Sequence, residues 1–222
     1  MEKRQNKNKN KSVKINILMF ALVFCLLSIP VSEVKSQIAT NAIDFAKVSQ
    51  AKLRKMMQSL YLKGIKTFCE LNPSCYLEAD SSDYSVHRSS NLIKEDINEV
   101  WKNIKTINPK EIYTGRMLSF GFIYSKKEDK IVYCTDEFNG IEVGQIIFIN
   151  LRMAGGLKNL GVGLELTNID EENKTIRYCY LQSGISHGTQ EICLEKTEDG
   201  YTRITQTTHY KSKSKLLAKY NY

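Results

Sequence analysis

Hydrophobic and polar positions change rhythm several times along the 222 residues. The first apolar stretch, Ile15 to Val31, is almost unbroken; Asn16 and Ser28 are its only strongly polar members. Over 41–63 the pattern turns periodic. Ala42, Ala46, Ser49, Leu53, Met57 and Leu60 recur at three- and four-residue steps, which predicts a helix that Gly64 ends. A polar, turn-rich stretch follows, and Asp80-Ser81-Ser82-Asp83 reads as a linker. Residues 84–90 form a short candidate strand. Ile93, Ile97, Val100, Trp101 and Ile104 then return to helical spacing and predict an amphipathic helix over 94–105. Pro109 opens a short helix or turn at 109–113. From Gly115 the period is two. Candidate strands cover 115–124, 130–138, 143–153, 161–169, 174–183, 189–197 and 201–210, separated by turn chemistry such as Asn139-Gly140.

Two hairpins can be assigned a register. Placing Cys179 opposite Cys193 sets Arg177 against Glu195, Tyr178 against Leu194 and Tyr180 against Ile192. One face then carries an ion pair and two sulfurs, and the other an apolar patch. Reading Glu198-Asp199-Gly200 as a three-residue loop, with Gly200 left-handed, sets Leu194 against Ile204 and Glu195 against Arg203. Both registers agree on the inner face.

Charge changes the picture of the ends. The formal net charge is +8, which invites a nucleic-acid partner. Yet the first 14 residues hold six basic side chains and one acidic, and Lys211, Lys213, Lys215 and Lys219 crowd the last twelve. Residues 37–210 carry 21 bases and 22 acids, so the body is not basic and no nucleic-acid partner is expected. A basic flank, an apolar core and then small residues is the layout of a signal peptide over 1–36. Val34 and Ser36 suit the shallow subsites of a signal peptidase, leaving Gln37 as the new N-terminus. An uncleaved anchor is the alternative, against which Pro30 argues. A lipoprotein at Cys25 would need a small residue where Phe24 stands. The expected location is the periplasm or the exterior, with the Lys-rich C-terminus a candidate for membrane-surface contact.

Six cysteines include Cys25 in the leader. No Cys-x-x-Cys occurs. In an exported chain Cys69 and Cys75, flanking the Asn72-Pro73 turn signal, could close a small loop. A Cys179–Cys193 bond and two facing buried thiols are equal alternatives. Cys134 reads as a small buried hydrophobe.

A short strand, two helices and a run of antiparallel strands is an α+β order. The run SVHRSSNLIKEDINEVWKNI from position 85 resembles the opening of the START and polyketide-cyclase-like (helix-grip) superfamily. There a first strand leads to a helix with Val-Trp near its middle. GISHGTQE over 184–191 is similar to a Gly-His motif of one bacterial branch of unknown function, with Gly188 where that branch has Pro. The resemblance spans roughly 84–216. It implies a curved antiparallel sheet of about seven strands, gripping a long C-terminal helix around a cavity. Only twelve residues follow Tyr210, too few for a helix of that kind. Either the chain is truncated there, leaving the domain without most of that helix, or something replaces it: helix 41–63 could cover the open sheet, or be an N-terminal packing element. The domain plan is then a leader over 1–36, a helical segment and linker over 37–83, and a START-like domain over 84–222.

Sites are harder to read. No His-Glu-x-x-His, Gly-x-Ser-x-Gly or phosphate loop occurs, and neither metal nor cofactor is expected. Gly161 and Gly163 read as turn or bulge residues, and Glu171-Glu172 as a solvated turn. The patch of Tyr178, Tyr180, Ile192, Leu194 and Ile204 suits the wall of an apolar pocket, with Tyr hydroxyls to orient a ligand. His187 with Glu191 is the candidate acid–base pair, and Arg116 a candidate anion contact. The expectation is an exported domain that binds a hydrophobic small molecule or lipid without catalysis. The alternatives are a cyclase- or hydrolase-like enzyme using His187 and Glu191, and an envelope-associated structural protein without a pocket.

Overall fold

The computed structural model describes residues 37–153 and 158–212. Its elements are α1 (Ala51–Leu62), β1 (Pro73–Ser74), β2 (Ser85–Ile93), α2 (Ile97–Thr106), α3 (Pro109–Ile112), β3 (Leu118–Ser125), β4 (Lys130–Tyr133), β5 (Gln145–Met153), β6 (Lys158–Asp170), β7 (Thr175–Leu181), β8 (Ser186–Lys196) and β9 (Thr202–Ser212). Short 3-10 turns at Phe68–Glu70 and Glu78–Asp83 lead to β1 and β2; the second occupies the expected linker. All strands join one antiparallel sheet in the order β2-β9-β8-β7-β6-β5-β3-β4, with β1 added against β7. This is the expected α+β class, a curved antiparallel sheet with helices, built from nine strands rather than about seven. No helix among the described residues is long and apolar enough to cross a membrane. The leader and residues 213–222 lie outside the described residues; Lys211 and Ser212, beyond the expected end of the last strand at Tyr210, extend β9.

Strand alternation gives the sheet two separate faces. On the outer face Phe122, Tyr124, Ile146, Phe148 and Leu181 pack against Leu53, Met57 and Leu60 of α1 and against Phe68 and Leu71. Phe122 stacks on Phe148 at 4.4 Å between ring centres, and Phe68 on Tyr124 at 4.6 Å. Gly121 and Gly161 are the seat for α1, since a Cβ on either would press into the Leu53 side chain. The two sequence glycines of β6 thus serve close approach, rather than a turn. Helix α1 starts ten residues later than 41. Ala42, Ala46 and Ser49 fit the period but are exposed, while Ile43 and Val48 are buried from turns.

The inner face is covered by α2. Asp96 caps it, its carboxylate accepting from Asn98 N–H at 2.8 Å. Val100 and Trp101 pack on Ile123, Ile147, Leu166, Ile176 and Leu194. The β6–β7 turn locks this helix down. Glu171 accepts from Trp101 Nε1–H and from Lys105 Nζ, each at 2.6 Å. Glu171 is therefore a clamp and not a merely solvated turn residue.

The β8–β9 register is the expected one: Leu194 faces Ile204, Glu195 faces Arg203, and Gly200 has φ +81°. The β7–β8 register differs. Cys179 faces Thr189 and Arg177 faces Glu191, a slip of four residues. The turn closes early, with Gly184 N–H donating to Leu181 O at 2.9 Å. An even slip leaves each side chain on its predicted face.

The cysteine expectations are corrected. Cys75 is bonded to Cys179, across the line where β1 continues alongside β7. Cys69 and Cys193 are free, so neither Cys69–Cys75 nor Cys179–Cys193 forms. Cys69 Sγ instead lies 3.0 Å from Tyr124 Oη. Cys134 is exposed just past β4 rather than buried.

Candidate functional site

Helix α2 covers only part of the inner face. Beyond it, toward the C-terminal ends of β5, β7 and β9, the sheet curves around a cavity of about 330 Å³. That volume lies at the small end of ligand pockets. Its walls differ. Ile149, Leu151 and Met153 of β5 and Leu160, Val162 and Leu164 of β6 make an apolar wall. Gln190 of β8, Gln206, Thr208, Tyr210 and Ser212 of β9 and His87 of β2 make a polar one. Tyr180, Tyr113, Leu118, Met117, Ile185 and Ser186 complete the lining. The registers produce this division: β5 odd positions face β6 even positions, and β8 even positions face β9 even positions.

Among the described residues the lining holds no Asp, Glu, Lys or Arg. Burial pushes the Tyr113 phenol above its ordinary range. Burial, with the nearby Tyr113, does the same to Tyr178. Both phenols therefore stay protonated and can donate a hydrogen bond. Among the described residues no cluster of three or more His, Cys, Asp or Glu could hold a metal ion.

The sequence candidates divide between the two faces. Tyr180 lines the cavity. Tyr178, Ile192, Leu194 and Ile204 share its face but belong to the core under α2. His187 and Glu191 point to the outer face. His187 Nδ1 lies 2.6 Å from Ser74 Oγ, and Glu191 accepts from Arg177 at 2.7 Å. Both stand on β8 itself, because the strand begins at Ser186 rather than after a long loop. Four residues along a strand span roughly 13 Å, so the two cannot work as a pair. Arg116 is exposed in the turn before β3, beside Met117 of the lining.

No family model matches this chain, and no curated protein does. Among solved structures it is similar to the major latex-like protein 151 of Panax ginseng, at 14% identity and a TM-score of 0.42, over 60% of this chain and 83% of that one. It is also similar to norcoclaurine synthase of Thalictrum flavum, solved with dopamine and hydroxybenzaldehyde, at 10% identity and a TM-score of 0.44, over 68% and 84%. A protein of Deinococcus radiodurans matches at 13% identity and a TM-score of 0.38, over 58% and 83%. These likenesses decide neither ligand nor reaction.

The polar wall is what sequence reasoning missed, although its signal was present. The β8–β9 register already set Gln190 opposite Thr208 and Gln206 opposite Ile192, on the face of Leu194 and Ile204. Polar side chains at inward positions of a strand mark a place where the sheet is not simply covered.

Proposed function

We propose that this chain is an exported binding protein for an uncharged, largely hydrophobic small molecule, held in the inner-face cavity without catalysis. The cavity itself carries the reading: an apolar wall from β5 and β6 opposes hydrogen-bonding groups from β8, β9 and β2. A hydrophobic ligand gains from the first, and the second fixes its orientation. The described lining carries no charged side chain, which disfavours an ionised headgroup, since no described group there would pair with it. A purely structural role is disfavoured by the same cavity, which a filled core would not contain. An enzymatic role through His187 and Glu191 has no support, because both side chains lie on the opposite face.

Export is part of this proposal. Its supports are the basic and apolar leader and a boundary between two compact units that falls between Ser36 and Gln37, at the expected cleavage point. The Cys75–Cys179 bond also suits an oxidising compartment. The test is organic extraction and mass spectrometry of the protein purified from its native compartment, together with titration of apolar fluorescent probes. Recovery of a neutral hydrophobic compound, displaced by the probe and lost in a Leu164→Trp variant that fills the cavity, is the expected result. A protein that carries no such compound and binds no probe would falsify the reading.

A further inference from the structure

The rim of the cavity has a character of its own. Met117 and Ile185 line the cavity and yet are 52% and 37% exposed. Ile112, at the end of α3 and next to the lining Tyr113, is 49% exposed. Large apolar side chains left in water in this way are common singly, but here they gather at an opening. Cations accompany them. Arg116 precedes Met117, and Arg152 N–H donates to Met117 O at 2.7 Å, which sets the backbones of both arginines next to Met117 at one end of the sheet. Both arginines are exposed, as is Lys110. Glu111 is the only acid in 107–119; β5 and the β7–β8 turn contain none. The acidic residues Glu78, Asp80 and Asp83 belong to the 3-10 turn before β2, where Asp83 is neutralised by Lys211.

We propose that this rim docks on an anionic lipid surface, with Met117, Ile185 and Ile112 entering the interface and Arg116, Arg152 and Lys110 meeting lipid phosphates. The partner is argued from complementarity of two kinds. Exposed apolar side chains flanked by cations are what an anionic bilayer interface accommodates. The apolar rim also continues into the cavity wall, so a hydrophobic molecule passing between bilayer and cavity need not cross water. The purpose of such docking rests on the cavity reading, but the docking itself can be tested with no ligand present.

The test is hydrogen exchange of the full chain, read by mass spectrometry, with vesicles of phosphatidylcholine alone or mixed with phosphatidylglycerol. Peptides covering 110–118 and 182–187 should exchange more slowly with the mixed vesicles than with phosphatidylcholine or buffer. A Met117→Asp/Ile185→Asp variant and an Arg116→Glu/Arg152→Glu variant should each lose that protection, while Leu92→Asp, at an exposed apolar residue on the far strand, keeps it. Unchanged thermal unfolding of the variants shows that they fold. Vesicle-bound protein whose 110–118 and 182–187 peptides exchange as in buffer overturns the proposal. Equal protection on neutral vesicles, or protection that survives both rim variants, overturns it too. Probe binding in vesicle-free buffer reports separately on the cavity, so the two readings can fail independently.

Discussion

The two faces of one sheet are finished in opposite ways. The outer face is closed. Residues 38–71 lie across it, aromatic rings stack beneath them, strand glycines let Leu53 sit close, and the Cys75–Cys179 bond ties the covering segment to β7. The inner face is closed only under α2 and then opens into the cavity. Neighbouring residues on β5 illustrate the contrast: Phe148 is sealed into the outer core, while Ile149 borders the cavity. A sheet can leave one face incompletely packed when the other is packed well enough to hold the strands in register. Stability and ligand binding should therefore separate by face, and side chains of the same strand can test that.

The largest effect should come from the covalent tie. Cys75→Ser with Cys179→Ser opens a crosslink between residues 104 apart, which in the chain-entropy account costs about 4–5 kcal/mol. Urea denaturation should show it, and cavity binding should survive wherever the variant is folded. The next comparison uses one strand. Phe148→Ala leaves a hole in the outer aromatic stack and should cost about 3–5 kcal/mol. Leu151→Ala, three residues on and on the cavity wall, should cost about 1 kcal/mol and instead weaken probe binding. Equal losses of stability at the two sites would erase the distinction between the faces.

What could be read from the residues depended on how local the determining contact was. The β8–β9 hairpin was legible because Gly200 fixes the loop and the loop fixes the register. Helix α2 was legible from its period, to which Asp96 adds a cap. The β7–β8 hairpin was misread because its turn at 182–185 has no Asn-Gly signature, yet the inner face came out right since the slip is even. Helix α1 was drawn too long because small residues matched the period without being buried. The disulfide was hidden by sequence distance, since it depends on β1, a strand of two residues, finding β7. His187 and Glu191 failed as a site for a related reason: with the turn misplaced, a strand pair passed for a loop cluster. The cavity is a space, and its traces in the sequence were Tyr180 and the inward polar positions of β8 and β9.

A smaller effect should arise at the clamp over the inner face. Glu171→Ala leaves the Trp101 indole N–H without its acceptor and should cost about 1 kcal/mol. Hydrogen bonds from Lys105 and Trp101 hold the Glu171 carboxyl below its ordinary range. The sign follows from that lowering. The contribution is complete above the unfolded-state carboxylate pKa and disappears as acid titrates Glu171 through its lower folded-state value. Thermal unfolding of wild type and Glu171→Gln, compared from neutral pH downward, should converge on the acid side. The carboxylate is largely exposed, so the difference is small and shrinks with salt.

The smallest effect on stability should be the most informative about function. Gln206 and Thr208 face the cavity from β9, and Gln206→Leu or Thr208→Val keeps side-chain size while removing hydrogen-bonding capacity. Each should change stability by no more than about 0.5 kcal/mol. Binding of a wholly apolar probe should hold or improve, because the polar wall contributes nothing to it. A ligand that carries a hydroxyl or carbonyl should weaken by about 1 kcal/mol, roughly fivefold, for each hydrogen bond lost. Calorimetry with matched pairs of probes, with and without a hydroxyl, gives that ratio directly. If the two variants shift both probes of a pair alike, the polar wall does not orient ligand, and the cavity would then discriminate by its apolar side alone.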